Sequence, residues 1–568
     1  MENNNTKNII ALLNNAGKKS NLYLIYYSVI FILFATLSAF DIVTNFIGEA
    51  PTISEFNLVI GIIFGIIALI SLGLTISYLI KPKQLLKIDF EKSTLSIIKS
   101  KNKIRNLKFS DIYFFKDNDP NLFSSIFKDG KLKIYTNDGE CIKINYLTNS
   151  KLIKKALEVM LNVSEKNIYK KKSIKIFFIR IYQYLLKFSL KFVQHKEAKL
   201  LSTYEEIADT LKTKNIKKVL LVESGTITRN LLDNYLKTTL EAKNIEFSSF
   251  SDISTNPTLD NCINGKSIYL ENKCEAIIAI GGGSPLDCAK GIAILVNTKK
   301  PLSKFKGVYK IHHKVPLIVA IPTTCGTGSE TTFVTVITDE KTSTKFTITS
   351  NKIVPKYALL DPTLIKDLPL HFVGTTAMDA FSHALESYLN ITRDSKSKKY
   401  SLEAIKLIHD NLSKVKEDPA NLDNKKKLLE ASFVAGKAFS RGVVGPIHAL
   451  SHALGGKYNL GHGYLNAILM PRFLNVYLFS CYKDLAEISK AMGIPSTGDV
   501  HKDAKNVVKY VTIINESFSF KQDLDMLKEE DIKSLAEKAY KESHLLYSSK
   551  HFVAKEMYED ILISLLKK

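Results

Sequence analysis

The stretch Gly445–Gly463, GPIHALSHALGGKYNLGHG, places the tightest constraint on how this chain can fold. It carries His448, His452 and His462, three of only 12 histidines in the sequence. His448 and His452 are four apart, so on a helix they share a face. Gly455-Gly456 is expected to stop that helix and turn the backbone, bringing His462 back towards the same point. Upstream, Asp379 and His383 repeat the four-residue spacing on an apolar, helix-periodic run, AMDAFSH. A lone Asp/His pair on a helix is more often a surface pair or a cap. Together, an Asp and three or four His with no Cys among them form the ligand set of a divalent transition metal such as Fe or Zn.

At 568 residues the chain is too long for one ordinary domain. Its net charge of +23 is unevenly spread: residues 1–199 hold roughly 30 Lys and Arg against roughly 15 Asp and Glu. A basic half suggests nucleic acid or an anionic membrane. No nucleic-acid recognition motif appears, and two apolar runs favour the membrane. Six scattered cysteines form no C-x-x-C pair, which suits a reducing cytosol.

Those runs are Leu22–Phe40 and Phe56–Ile80, both uncharged and each long enough to cross a bilayer as a helix. The connection between them carries Asp41, Glu49 and Glu55 and no Lys or Arg, while Lys18, Lys19, Lys81, Lys83 and Lys87 flank the outer ends. The positive-inside rule then predicts a transmembrane hairpin with both ends in the cytosol. From about residue 84 the pattern changes to short β-prone runs with a hairpin turn at Asn137-Asp138-Gly139-Glu140, followed by a helical stretch at Lys151–Val163. This reads as a small β-rich domain closed by a helix. Ile174–Val193 is helix-periodic, with Lys175, Gln183, Lys187 and Lys191 on one side and Ile, Phe and Leu on the other. Two readings stay open for it: a helix lying in the membrane interface, or an amphipathic helix packed on a neighbouring domain.

After about residue 198, strands and helices alternate. Lys218–Val222 and Ala276–Ile280 are short buried-type strands, and the second runs into GGGSPLD, residues 281–287. Three glycines let a phosphate approach the backbone, Ser284 can cap, Pro285 fits the first helical position, and the helix N-terminus offers free N–H groups to a pyrophosphate. This is not the G-x-G-x-x-G fingerprint, and alone it is a weak signal. A third strand, Leu317–Ile321, leads into PTTCGTGSE, residues 322–330, whose hydroxyls and glycines suit a loop around a dinucleotide. From about residue 364 the chain is helical to its end.

Both loops and both His-bearing stretches resemble the iron-containing alcohol dehydrogenase family, over roughly residues 200–568 and in family order. The likeness continues through Asn256-Pro257-Thr258, Val336-Ile337-Thr338-Asp339, Lys345-Phe346 and Leu360-Asp361-Pro362. The resemblance implies that Asp379, His383, His448 and His462 hold the metal, Fe²⁺ or alternatively Zn²⁺, and that His452 is a substrate-side residue rather than a ligand. It implies NAD(P)H contacts at Asn256, Gly282, Gly283, Ser284, Asp287, Thr323, Thr324, Thr327, Thr332 and Lys345. It also implies the fold: an α/β, Rossmann-like nucleotide-binding part (198–363) followed by an all-α metal-binding part (364–568). Ahead of these the sequence predicts a tail and transmembrane hairpin (1–83), the β-rich domain (84–165) and a basic amphipathic linker helix (166–197).

Two departures stand out. The family's extra opening strand is missing from residues 198–213, and Ser224 replaces the Asp that would hold a ribose 2′-OH, with Glu223 one place early. A small residue leaves room for a 2′-phosphate, so NADH and NADPH both stay open. The expected activity is hydride transfer between NAD(P)H and a primary alcohol or aldehyde, from an integral membrane protein whose catalytic domain faces the cytoplasm. A silent, membrane-bound dinucleotide sensor is the alternative, and lyases of the dehydroquinate synthase type share the fold but not these motifs. Small-molecule substrate and lipid bilayer are the expected partners; a homo-oligomer stays open.

Overall fold

A computed structural model describes residues 28–33, 35, 66, 68–72, six strands within 85–147, and residues 179–184, 187, 196–223, 233–340, 344–478 and 480–567. The chain divides into two compact units, Met1–Lys171 and Lys172–Lys568.

In the first unit, residues 28–33 and 35 and residues 66 and 68–72 are helical, and the rest of the two apolar runs lies outside the described residues. Crossing a bilayer takes about 20 consecutive apolar residues in one helix. No helix among the described residues is long and apolar enough to do so. The expected transmembrane hairpin, the membrane anchor and the bilayer as a partner are therefore corrected. The inference that the catalytic part faces the cytoplasm rested on that hairpin and goes with it.

The β-prone runs form β1 (Leu85–Asp89), β2 (Thr94–Ser100), β3 (Lys103–Lys108), β4 (Ile112–Asp117), β5 (Gly130–Thr136) and β6 (Cys141–Leu147). They make two separate antiparallel sheets, β1-β2-β3 and β4-β5-β6. One β-rich domain needs strands that join or faces that share a core. No strand pairing links the two sheets among the described residues, so the single domain is also corrected. The helix expected to close it, at 151–163, lies outside the described residues.

The second unit is built on a six-stranded parallel sheet in the order β7-β15-β12-β10-β8-β9. These strands are β7 (Lys199–Leu201), β8 (Lys218–Glu223), β9 (Glu246–Phe250), β10 (Ala276–Gly281), β12 (Leu317–Pro322) and β15 (Tyr357–Leu359). Alternate side chains fall on opposite faces of a strand. Leu220, Val222, Ile277, Ala279 and Ile318 accordingly pack on one side of the sheet with α2 (Leu259–Glu271) and α3 (Gly283–Val296). Val219, Leu221, Ile278, Ile280 and Val319 pack on the other with α1 (Tyr204–Thr213). Burial on both faces is why these strands read as unbroken apolar runs. A small sheet, β11 (Gly307–Val308), β14 (Thr344–Thr349) and β13 (Val334–Asp339), lies beside it.

β7 corrects the missing opening strand: Lys199–Leu201 pairs with Tyr357–Leu359 at the sheet edge. Three residues are too few to show a period of two. Beyond it the chain is helical: α4 (Leu370–Leu389), α5 (Ser395–Glu417), α6 (Leu422–Gly442), α7 (Pro446–Tyr458), α8 (His462–Tyr477), α9 (Tyr482–Ala491), α10 (Val500–Ser517), α11 (Glu529–Leu546) and α12 (Lys555–Ile563). α7 runs through Gly455-Gly456 and ends at Asn459, in the left-handed conformation with its N–H on Gly455 O. Asn tolerates that conformation as a helix stop, so the glycine pair was not needed for it.

Residues 179–184 and 187 are helical, and their side chains fasten to the far C-terminal part of the same unit. Arg180 donates to Ser549 O (2.7 Å) and Lys550 O (3.0 Å), and Gln183 donates to Tyr547 O (2.9 Å). Gln183, placed on the polar face by its spacing, is only 3% exposed. The packing runs through these polar groups, whereas Ile181, Tyr182 and Tyr184 are exposed; with the bilayer corrected as a partner, the membrane-interface reading is corrected too.

Candidate active site

α4 is buried along nearly its whole length from Val373 onward, and it carries Asp379 and His383 one turn apart. α7 supplies His448 and His452, and His462 is the first residue of α8. One donor atom each from Asp379, His383, His448 and His462 lies within 4.8 Å of all the others. His462 Nε2 is 3.6 Å and His448 Nε2 3.9 Å from Asp379 Oδ1. Bonds of 2.0–2.2 Å to a tetrahedral ion would set such atoms about 3.4 Å apart. Gly463 permits the approach: a Cβ there would stand 2.5 Å from Thr375 O, so α8 can begin this close to α4 only with glycine.

The donor chemistry fits a divalent cation. Burial, with the neighbouring imidazoles, holds His448 well below the usual histidine range, and burial brings His462 down to about 4. The imidazoles are thus neutral, the form in which they can bind a metal. His383 Nδ1 is buried with no hydrogen-bond partner. The Asn466 amide nitrogen reaches Asp379 Oδ1 (2.7 Å), His462 Nε2 (3.2 Å) and His448 Nε2 (3.3 Å). Lone pairs converging this tightly away from water are costly unless they share a positive partner.

Around these groups lies a second layer that the sequence reading missed. Glu386, seven residues past Asp379 on α4, accepts from the backbone N–H of Gly445 (2.8 Å) and Ile447 (2.6 Å) and faces His448 Nδ1 at 2.6 Å. It caps α7, whose N-cap glycine has no side chain to do so. Burial pushes Glu386 up to about 8, against the pull of those N–H groups. With Nδ1 engaged, His448 turns Nε2 to the cluster. Ser451 Oγ meets His462 Nδ1 at 3.0 Å. His452 stacks on His462, and its Nδ1 lies 2.6 Å from Glu542 Oε1, which also accepts from Tyr547 Oη (2.7 Å). Glu542 holds the His452 imidazole above its ordinary range, against burial. Helical spacing could have flagged Glu386 and Asn466; nothing in the sequence links Glu542 to His452.

The two glycine-rich loops leave the ends of β10 and β12, which are neighbours in the sheet. Gly282 lies against Thr324 and Gly283 against Thr327, so the loops touch, and Thr323 N donates to Gly281 O (2.9 Å). Gly282 is the N-cap of α3; Ser284 and Pro285 fall second and third in the helix, and Ser284 Oγ donates to Thr255 O. Asp287 and Thr332 turn inward instead. Asp287 accepts from Ser329 Oγ (2.7 Å) and Val336 N (2.9 Å), and Thr332 Oγ1 accepts from Lys290 (3.0 Å). The geometry gives these two a part in shaping the loops rather than in touching a ligand. Lys345 donates to Asn256 Oδ1 (2.7 Å), and its charge opposes protonation of His462 and, against the stronger pull of Glu542, of His452, so this pair stands near the histidines. Gly328, at φ 60°, packs on Gly436 and Ser432 O of α6, tying the second loop to the helical half. Glu223 ends β8 buried, opposite Ile280, and residues 224–232 lie outside the described residues.

Residues 201–362 match the iron-containing alcohol dehydrogenase family, and residues 373–566 match that family's C-terminal region. The chain belongs to the iron-containing alcohol dehydrogenase family. It is 33% identical over 334 residues to the 1,3-propanediol dehydrogenase of Klebsiella pneumoniae, covering 58% of this chain and 86% of that one. Alcohol dehydrogenase 4 of Saccharomyces cerevisiae is 31% identical over 339 residues, covering 59% and 87%. A crystal structure of 1,3-propanediol oxidoreductase superposes with a TM-score of 0.63 at 28% identity, over 66% of this chain and 99% of that one. The alcohol dehydrogenase of Oenococcus oeni superposes equally well at 27% identity, over 66% and 100%. This iron-containing alcohol dehydrogenase is thus an NAD(P)-dependent oxidoreductase with an iron-binding active site.

Proposed function

We propose that the enzyme interconverts a primary alcohol and its aldehyde, with Asp379, His383, His448 and His462 holding the metal. The observation that carries this reading is the convergence of those four donors within 4.8 Å, with the second glycine-rich loop packed at Gly326 against Thr376 of the helix that bears Asp379 and His383. When bound, the divalent ion supplies Lewis acidity of the kind that lowers the pKa of water from about 16 to about 7. Hydride passes between the substrate carbon and the nicotinamide, and the alcohol proton leaves separately. Glu386 and Ser451 orient His448 and His462 from behind. Glu542 engages His452 Nδ1, leaving Nε2 as the atom that can carry the proton or orient the substrate hydroxyl. Asn256, Lys345 and the threonines at 323, 324 and 327 are suited to hold the dinucleotide.

The test is anaerobic reconstitution with Fe²⁺, followed by NADH and NADPH oxidation with a short and a long aldehyde, beside His448→Ala. Turnover with one nucleotide and its loss in the variant are expected. A loaded parent that turns over no aldehyde with either nucleotide overturns the substrate assignment.

A further inference from the structure

The helical residues 179–184 and 187 lie upstream of the stretch that matches the family, which begins at residue 201. Their side chains nevertheless converge on one short segment, 545–550. Arg180 reaches Ser549 O and Lys550 O, and its guanidinium carbon lies 5.7 Å from the centre of the Phe552 ring. Gln183 accepts from Arg180 (2.9 Å) while donating to Tyr547 O, and Tyr182 Oη reaches Leu545 O (3.3 Å).

That segment is a junction. Tyr547 donates from its hydroxyl to Glu542, and Glu542 engages His452. Ser548 O accepts from Ile391 N (2.7 Å) and Lys550 N donates to Leu389 O (2.9 Å), at the end of the helix that carries Asp379 and His383. Between them, Asn390 donates to the carbonyls of Gly442, Val443 and Val444, each at 2.9 Å, just ahead of α7 and His448. The segment therefore touches Glu542 and the end of α4 directly and reaches the approach to α7 through Asn390, while the upstream helix donates to its carbonyls.

We propose that Arg180 and Gln183 are positioning residues of the active site, holding 545–550 so that the Tyr547–Glu542 pair keeps His452 in register beside the metal ligands. A region outside the family-matched stretch thus completes the support of the centre and can tune it. Tyr547 presents its backbone carbonyl to the helix and its hydroxyl to Glu542, so a shift of this one residue is felt at both ends. Direct partners of a ligating histidine are worth about 10–100-fold in activity or metal affinity, and Arg180 and Gln183, acting one step further out, are expected at the lower end.

This inference rests on the dehydrogenase reading above, and its test separates the two. The full-length parent, Arg180→Ala/Gln183→Ala, Glu542→Gln and the triple variant are compared for kcat and for nucleotide KM. Amide hydrogen exchange of residues 542–550 is followed in metal-free protein. The double variant is expected to lose about tenfold in kcat, keep its nucleotide KM and lose protection at 542–550. Combined with Glu542→Gln it should lose little more, because groups acting through one another are not additive. An active parent with an unchanged double variant, or losses that multiply in the triple variant, overturns the inference. An inactive parent overturns the dehydrogenase reading instead.

Discussion

Glu386 Oε2 lies 2.6 Å from His448 Nδ1, and the same carboxylate receives the first N–H groups of the helix on which His448 stands. One side chain thus fixes both the place of α7 and the tilt of the imidazole it delivers. Because α4 also bears Asp379 and His383, the distance between the two ligand helices is set by the length of a glutamate. Glu386→Ala should strand the Gly445 and Ile447 N–H groups, at about 1–3 kcal/mol each, and release the His448 ring. Metal content after dialysis should fall at least tenfold and Tm should drop. Retention of metal at the parent level would show that α7 is placed by something else.

Gly463→Ala tests the approach of α8 to α4. The added methyl would stand 2.5 Å from Thr375 O and 3.3 Å from Asp379 Cβ, both on a buried helix that cannot yield easily. Overpacking of this kind costs about 1–3 kcal/mol. Here the strain moves His462 away from Asp379, so metal affinity should fall along with Tm. A variant that loses stability but binds metal normally would place the tolerance in α4.

These contacts mark the limit of what the sequence could disclose. The i, i+4 spacing of Asp379/His383 and of His448/His452 is visible in one dimension, because a helix repeats every 3.6 residues. Both glycine-rich turns are visible for a related reason, since a buried strand and the turn after it are contiguous. The contact between Glu542 and His452 is not, because it joins residues 90 positions apart whose only link is packing. The helical residues 179–184 show the same limit from the other side. Their amphipathic pattern suggested a buried apolar face, but Ile181, Tyr182 and Tyr184 are exposed and it is Arg180 and Gln183 that fasten to residues 545–552, at the opposite end of the chain. The apolar runs at 22–40 and 56–80 satisfy the length a span requires. Length and hydropathy are conditions on composition, whereas a span is a single helix, and none of the described helices meets both.

Glu330 offers a prediction in pH. It closes the second glycine-rich loop fully buried, with Oε1 unpartnered, and burial pushes it up to about 7 against the attraction of the Lys290 ammonium. A carboxyl raised on folding binds its proton more tightly in the native state. Its burial is therefore tolerated below the unfolded value near pH 4.5 and grows costly as pH rises through 7. Glu330→Gln removes that dependence. Its stability relative to the parent should climb between pH 4.5 and 7 and then level off, by up to about 3 kcal/mol. Urea midpoints at pH 4.5, 6 and 8 would show the gap widening. A gap that stayed constant would mean Glu330 is ionised throughout and satisfied by Lys290.

Lys345 and Asn256 pair beside two functions of the site. The ammonium donates to Asn256 Oδ1, and its charge opposes protonation of His452 and His462, so it stands near both histidines. Burial holds Lys345 itself below the usual lysine range. Lys345→Met keeps the aliphatic stem and deletes the charge. If Lys345 holds the dinucleotide, nucleotide KM should rise tenfold or more, in line with about 1.5–3 kcal/mol for a hydrogen bond to a charged group. Removing a positive charge near His462 should also tighten metal binding slightly, so metal content should not fall. Lost metal with an unchanged nucleotide KM would move Lys345 out of the nucleotide site and into the support of the metal centre.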